Sequence, residues 1–287
     1  MRERIRTWLD ASDATRPVGV CIVAMACMSG AMAVMGWHVP SLMLVPMMVL
    51  LGVLVIIQVH RNVRDLKGQS HAARRAAIQA EQHYIDVLGK IIGYIESRDV
   101  YARGRSERIG WLSEQIARRM GLDSELCRRM NVAGRLHDIG LLAVPESILN
   151  KRSRLGADEF HTVQKHAEVS FEVLKPLTTL QDVLPAVRAH HERMNGTGYP
   201  EGLKGQQIPQ VSRILAVADA YDAMTHDRPW RPAMTPLEAM RELIRCSPAG
   251  YDPDCIRALG EVINMPALER AFEASGDVAE TQTAAKP

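Results

Sequence analysis

The chain contains 287 residues, of which 47% are hydrophobic, 24% charged and 5% aromatic, and its formal net charge is +2. So small a charge excludes nucleic acid as a bulk electrostatic partner, and neither DNA nor RNA is expected to bind. Few aromatic residues, beside abundant Ala, Leu, Met and Arg, favour helices over sheet and predict an all-α fold.

Two uncharged apolar runs lie near the N-terminus, at 17–37 and 42–59. Each is long enough for a membrane-spanning helix, which needs about 20 apolar residues. Basic residues flank the pair on both sides, whereas the turn between the runs has no Lys or Arg. The positive-inside rule then predicts a two-pass anchor at 17–59, behind a cytoplasmic segment 1–16, with both ends in the cytoplasm. The alternatives are a cleaved signal peptide and a buried helical hairpin.

The next segment, 60–83, is polar and Ala-rich, with only Val63, Leu66 and Ile78 as scattered large apolar residues. This composition predicts a linker helix that could pair with a second copy in a homodimer. A solvated helix without a partner is the alternative.

A firmly helical pattern begins at Tyr84 and defines a domain at 84–272, because apolar residues recur at three- and four-residue spacing. One helix is predicted to begin at Ser106 and stop before Gly121, and the next is capped by Asp123 or Ser124. Further helices are predicted at 158–174, 180–191, 211–224, 236–246 and 253–262. The tail at 273–287 lacks apolar periodicity and is predicted to be disordered.

Several side chains in this domain are suited to metal binding. They are His137, Asp138, His166, His190, His191 and Asp219. An aspartate can bridge two cations and a neutral imidazole supplies one nitrogen, so the set suits two divalent ions such as iron or manganese. A water bridging such ions becomes a hydroxide nucleophile near neutral pH. Taken singly, each histidine is more commonly an ordinary core or surface residue.

The loop that contains the histidine pair, "HHERMNGTGYPEGLKGQQIP", favours a functional site over ordinary histidines. Its glycines allow the backbone to approach a ligand closely. Tyr199 could stack on a base or bind a phosphate, and Lys204 lies in the same loop. Arg228 and Arg231 follow shortly after Asp219. Cations beside a metal cluster suit a phosphodiester substrate.

Together these motifs resemble the HD-GYP family of metal-dependent phosphohydrolases. The segments "ESRDVYARGRSERI", "HDIG", "HHERMNGTGYPEGLKG", "IPQVSRILAVADAYDAMTHDRPWR" and "EAMREL" stand in the family's order between about 84 and 262. The resemblance implies a bacterial protein whose HD-domain helical bundle hydrolyses cyclic di-GMP to a linear dinucleotide or GMP.

The same resemblance implies roles for individual residues. His137, Asp138 and Asp219 would hold one ion, and His166, His190 and His191 the other, with Asp138 bridging them as the catalytic residue. Tyr199, Arg228 and Arg231 match positions that contact the nucleotide, and Lys204 is added as a substrate-binding residue because it lies in the loop. The same GYP loop could bind a signalling protein.

Four positions depart from the family pattern. Arg105 replaces a metal-ligating histidine, and an arginine cannot donate a lone pair, so metal affinity should fall by about 10–100-fold or more. Leu141 replaces a lysine near the scissile phosphate, and losing such a contact costs about 10²–10³ in rate. Asn195 replaces an aspartate, a mild change. Tyr101 stands where three-metal members have a glutamate, so at most two ions are expected.

The sequence is therefore compatible with two classes of function, an enzyme and a binding module. The first is a weakened cyclic di-GMP phosphodiesterase, anchored in the bacterial inner membrane with its HD-GYP domain in the cytoplasm. The second is a catalytically degenerate domain that binds a nucleotide or a partner protein and signals without turnover. A third possibility is hydrolysis of a different phosphoester, such as another cyclic dinucleotide.

Overall fold

The computed structural model describes residues 41–98, 101–151, 153–228 and 231–264, without the side chains of 41–45 and Arg98. Within these ranges the chain is helical and contains no strand, only two isolated bridges, so the predicted all-α fold is confirmed. The predicted N-terminal segment, the first apolar run and the tail at 273–287 lie outside the described residues.

Ten α-helices are described. They are α1 (Ser41–Arg98), α2 (Arg105–Arg119), α3 (Ser124–Leu136), α4 (Glu146–Leu149), α5 (Ala157–Gln164), α6 (His166–Leu174), α7 (Leu184–Ala189), α8 (Gln210–Thr225), α9 (Pro236–Cys246) and α10 (Pro253–Val262). Short 3-10 helices are described at Ile139–Ala143, Thr178–Leu180 and Gly205–Gln207.

The chain divides into two compact units, Met1–Ile78 and Gln79–Pro287. In the described part of the first unit, α1 carries exposed apolar side chains such as Met48, Val49 and Ile56. Among the described residues one helix, over Pro46–Ser97, contains a stretch long and apolar enough to cross a membrane, with a mean hydropathy of 1.6 over 18 residues. The helix meets this criterion by length and composition, and the two-pass hairpin stays a prediction.

The second unit begins with the last turns of α1, where Ile85, Leu88 and Ile92 are buried as their spacing predicts. Glu81 in this part of α1 accepts hydrogen bonds from the backbone N–H groups of Thr178 and Thr179. The predicted linker at 60–83 and the helix after it are thus described as parts of α1.

Helices α2 and α3 pack closely at the centre of the second unit because glycines face each other at their crossing. A Cβ atom on Gly134 would lie 2.8 Å from the Cα of Gly110. Asp123 caps α3 by accepting hydrogen bonds from the N–H groups of Glu125 and Leu126, which confirms the predicted cap. This packing fixes the end of α3, where His137 follows.

A second close approach sets the position of the segment after α3. The N–H of Gly140 donates to Ser170 Oγ at 2.8 Å, and a Cβ on Gly140 would lie 2.1 Å from the carbonyl oxygen of His166. Only a glycine allows the 3-10 turn to pack against α6 so closely. The approach brings Asp138 and His166 together although 27 residues separate them in the chain.

Candidate metal centre

The structure gathers all six predicted metal ligands in the second unit. Asp138 lies between two groups of side chains, and its two carboxylate oxygens face different neighbours. Its Oδ1 lies 3.3 Å from His166 Nε2 and 3.9 Å from His190 Nε2. Its Oδ2 lies 3.2 Å from His137 Nε2. Asp138 therefore lies between His137 on one side and His166 and His190 on the other, and its bridging role stays a prediction.

Three of the histidines are held in one tautomer by the backbone. The Nδ1 atoms of His137, His166 and His190 each lie 2.7–2.8 Å from the carbonyl oxygen three residues earlier. A carbonyl oxygen only accepts, so each Nδ1 donates, and in the neutral form of each ring the lone pair lies on Nε2. All three Nε2 atoms are buried and make no hydrogen bond to described residues. Buried nitrogens left in this state are suited to metal ligation.

Four side chains form the most compact donor set, called here the Asp138 cluster. It consists of Asp138, His166, His190 and His191. One ligand atom from each lies within 4.8 Å of the others, and His190 and His191 stand with ring centroids 4.0 Å apart. Three imidazoles and a carboxylate suit a divalent transition metal, so the cluster fits one ion.

Asp219, the sixth predicted ligand, binds Arg105. The Arg105 Nη2 atom donates to Asp219 Oδ1 at 2.6 Å and lies 3.6 Å from Asp138 Oδ2. Burial would raise the pKa of Asp219, but the Arg105 guanidinium outweighs it and holds that pKa well below its ordinary value. The Asp219 carboxylate, which the resemblance assigns to a metal ion, thus has a permanent cation as its partner.

The protonation states of the histidines differ across the centre. Burial would lower the pKa of His137, but the carboxylates of Asp138 and Asp219 raise it to about 10. Burial and the neighbouring His191 hold the pKa of His190 well below its ordinary value. Burial likewise lowers the pKa of His191 to about 4. His190 and His191 are therefore neutral at pH 7 and able to donate a lone pair.

A cavity of about 430 Å³ opens beside these residues and falls within the usual size range of ligand pockets. His191 and Asp219 belong to its wall, together with Arg228 and Arg231. The two arginines are joined by reciprocal backbone hydrogen bonds of 2.8 and 3.0 Å. The structure therefore places both predicted phosphate-binding arginines next to the metal-competent side chains.

Two further cavity residues were missed by the sequence reasoning. Arg193 and Tyr251 line the same wall, with the guanidinium of Arg193 4.7 Å from the ring centroid of Tyr251. Arg193 stands two residues after the histidine pair, so its place in the motif was a usable signal. No local signal marked Tyr251, which lies 58 residues farther along the chain.

The other two predicted substrate-binding residues lie in the GYP loop, outside the cavity wall. Tyr199 stacks near His191, with ring centroids 4.7 Å apart, so it adjoins the Asp138 cluster. Lys204 is exposed to solvent. Tyr199 is thus placed for a role at the centre, whereas the role of Lys204 stays a prediction.

The GYP loop is held by a buried carboxylate that the sequence reasoning did not single out. Glu192 is 2% exposed and accepts hydrogen bonds from the backbone N–H groups of Glu201, Gly202 and Leu203, at 2.7–3.0 Å. The loop also approaches the histidines closely at Gly198, where a Cβ would lie 2.4 Å from the Glu192 Cα. Both contacts fix Tyr199 beside His191.

The remaining departures from the family pattern are Asn195, Leu141 and Tyr101. Asn195 Oδ1 accepts hydrogen bonds from the backbone and hydroxyl of Thr197, a local turn contact of the kind expected from a mild substitution. Leu141 is half-buried in the 3-10 turn after Asp138. Tyr101 is 45% exposed.

Comparison with known proteins agrees with this geometry. The HD domain family profile matches residues 91–255. A cyclic di-GMP phosphodiesterase of Thermotoga maritima is 33% identical over 211 residues, which cover 71% of this chain and 57% of the relative. The 3'3'-cGAMP-specific phosphodiesterase 3 of Vibrio cholerae is 33% identical over 181 residues, covering 63% and 39% of the two chains. This chain thus spans little more than half the length of these relatives, or less.

A solved structure supports the fold. The crystal structure of a cyclic GMP-AMP-specific phosphodiesterase from V. cholerae superposes with a TM-score of 0.50 at 17% identity, covering 68% of this chain and 53% of that one. At this identity the likeness extends to the fold alone. A helical bundle with a buried His–Asp centre is the architecture of metal-dependent HD domains. The chain belongs to the HD-GYP family of such domains.

Proposed function

We propose that this protein is a metal-dependent phosphodiesterase that hydrolyses a cyclic dinucleotide, with cyclic di-GMP as the first candidate substrate. The observation that carries the proposal is the junction of two features at His191. This residue belongs both to the Asp138 cluster and to the wall of the arginine-lined cavity. A phosphodiester bound by the arginines would therefore lie beside the metal-competent side chains. The names of the T. maritima and V. cholerae relatives support the substrate class.

In this proposal the bound ion and the residues around it have separate roles in catalysis and substrate binding. A bound divalent ion, iron or manganese by its donor set, would polarise a phosphoryl oxygen and activate water. Arg228 and Arg231 would bind the phosphates of the substrate as charge-assisted donors. Tyr199 would stack on a base, and Lys204 at the exposed side of the loop would attract the dianionic substrate.

Asp138 is the proposed catalytic residue, because its two oxygens face the two halves of the centre. The form of the reaction with two ions and a bridging hydroxide would use His137 and Asp219 as well. It requires Arg105 to release Asp219, since the two now share the 2.6 Å contact. Turnover weaker than that of members with a complete ligand set is the expected consequence.

We further propose that the protein is anchored in the bacterial inner membrane, with two spans at 17–59 and the HD-GYP domain, 84–272, in the cytoplasm. The apolar part of α1 and the distribution of basic residues support this placement. Pairing of the 60–83 segments in a homodimer, and a signalling partner at the GYP loop, are proposals that rest on the sequence pattern.

Turnover by the purified 287-residue chain tests the proposed activity. We expect the chain loaded with Mn²⁺ or Fe²⁺ to convert cyclic di-GMP, 3'3'-cGAMP or both to linear products, resolved by chromatography. Chelation of the metal should abolish conversion, and adding metal back should restore it, because the imidazole cluster has no other source of Lewis acidity. No conversion by this chain with either ion, while the T. maritima relative converts cyclic di-GMP in the same assay, would contradict the proposal.

The Arg105–Asp219 ion pair favours a second candidate, a degenerate domain that binds a nucleotide or partner without turnover. In this pair the Arg105 guanidinium engages the Asp219 carboxylate, which the family resemblance assigns to metal binding. Equilibrium binding of cyclic di-GMP to the metal-loaded chain separates the two functions. Binding without any product over hours identifies the binding module, and product formation identifies the enzyme.

A further inference from the structure

The geometry points to a mononuclear centre in which the guanidinium of Arg105 takes the place of one metal ion. The chain is inferred to bind a single divalent ion, at the Asp138 cluster. This inference rests on the metal binding in the proposed function, and it does not require turnover. Three observations support it: Arg105 contacts the oxygens that a second ion would need, the backbone on both sides of Arg105 is fixed, and the donors of the Asp138 cluster stay free of its guanidinium.

Arg105 Nη2 stands among the ligand atoms that a second ion would need. It lies 2.6 Å from Asp219 Oδ1 and 3.6 Å from Asp138 Oδ2. The Nε2 atom of His137 lies 3.7 Å and 3.2 Å from the same two oxygens. The guanidinium and an ion would thus compete for one set of oxygens. An arginine keeps its charge at any physiological pH, so it supplies a cation there without needing to be loaded.

The backbone on both sides of Arg105 is fixed, which keeps the guanidinium at this position. The carboxylate of Glu96 accepts hydrogen bonds from the N–H groups of Gly104, at 3.1 Å, and Ser106, at 2.7 Å. Gly104 has a φ of 70°, a conformation that favours glycine, and it starts α2 with Arg105 as the first residue. The Arg105 side chain is only 18% exposed. Its place at the centre is therefore built into the start of the helix.

The Asp138 cluster keeps its donors in the presence of Arg105. The guanidinium faces Asp138 Oδ2, whereas His166 and His190 face Oδ1. No described contact joins Arg105 to His191. One ion can therefore bind on the Oδ1 side while the guanidinium neutralises charge on the Oδ2 side. During hydrolysis, the N–H groups of Arg105 would stabilise negative charge on the phosphoryl oxygens, a role that the second ion would have in a two-metal site.

Metal stoichiometry tests this inference without reference to activity. The 287-residue chain is dialysed against Mn²⁺, its metal content is measured by mass spectrometry, and electron paramagnetic resonance distinguishes isolated from coupled Mn²⁺. We expect one uncoupled ion per chain. The variant Arg105→His should bind two coupled ions, because it removes the cation and restores a nitrogen donor. Arg105→Ala, which removes the cation without adding a donor, should also bind a second ion, but more weakly than Arg105→His does.

The variant Arg119→His is the matched control, since it adds a histidine to the exposed end of the same helix, and it should still bind one ion. Two ions in the unsubstituted chain, or none, would overturn the inference. One ion in both Arg105 variants would also overturn it, because the exclusion of the second ion would then have another cause. A chain with one ion and no turnover contradicts the proposed activity alone, so the two failures are distinguishable.

Discussion

The substitution Asp138→Asn is expected to lower turnover by at least about 10³-fold and to reduce metal content below one ion per chain. Asp138 supplies the only carboxylate of the four-residue cluster, and its Oδ1 lies 3.3 Å from His166. An amide has the same shape but no charge, and it offers a weaker oxygen donor to a divalent ion. The loss should appear in kcat at saturating substrate, because the cavity arginines that are proposed to bind the phosphates are unchanged.

The control for this substitution is Asp158→Asn, which removes a carboxylate from an exposed position on α5. Metal content by mass spectrometry and turnover by chromatography are measured for both variants. The control should match the unsubstituted chain in both measurements. Full metal content and turnover within tenfold in Asp138→Asn would show that the carboxylate is not a ligand.

The substitution Glu192→Gln is expected to release the GYP loop. The buried carboxylate accepts three backbone N–H groups, and a glutamine replaces one accepting oxygen with an NH₂ group that cannot accept. A hydrogen bond to a charged acceptor contributes about 1.5–3 kcal/mol, and this contribution is lost where the N–H no longer has its acceptor. Amide hydrogen exchange at Glu201, Gly202 and Leu203 should then accelerate by about 10–100-fold, since local opening governs exchange. Substrate affinity should fall with it, because Tyr199 is positioned by this loop.

Glu201→Gln is the matched control, because Glu201 lies in the same loop and its half-exposed side chain forms a surface ion pair with Arg188 at 2.7 Å. Exposed pairs contribute about 0–1 kcal/mol, so exchange in the loop should change by less than about fivefold. Hydrogen exchange followed by mass spectrometry compares the three proteins. Equal exchange in Glu192→Gln and the unsubstituted chain would mean that the carboxylate does not hold the loop.

Helix boundaries were predictable from the sequence where local chemistry decides them. The predicted helices at 236–246 and 253–262 agree with α9 and α10, because both begin with a capping residue followed by proline. The predicted helix at 158–174 is wrong in its continuity, since the structure ends α5 at Gln164 and begins α6 at His166. The predicted helix at 180–191 is likewise replaced by a 3-10 turn at Thr178–Leu180 and the shorter α7. His166 begins α6 and His190 follows the end of α7, and apolar periodicity carries no signal for either helix end.

The candidate site was predictable as a list of residues but not as a set of contacts. Motif order located the six metal-competent side chains, and the structure brings them together. The sequence identified Arg105 as the loss of a ligand. Its contact with Asp219, 114 residues away, depends on how α2 and α8 pack and was beyond sequence reasoning. The same holds for Glu192, whose partners become evident only when the loop folds back on it.

In the proposed function, Asp138, His166, His190 and His191 hold the metal on which the activity depends. Anomalous diffraction from crystals of the Mn²⁺-loaded 287-residue chain, recorded at a wavelength where manganese scatters anomalously, would locate this metal. We predict one strong peak within about 2.0–2.3 Å of a donor atom from each of the four side chains. A peak away from these residues, or none in crystals of protein shown to contain manganese, would contradict it.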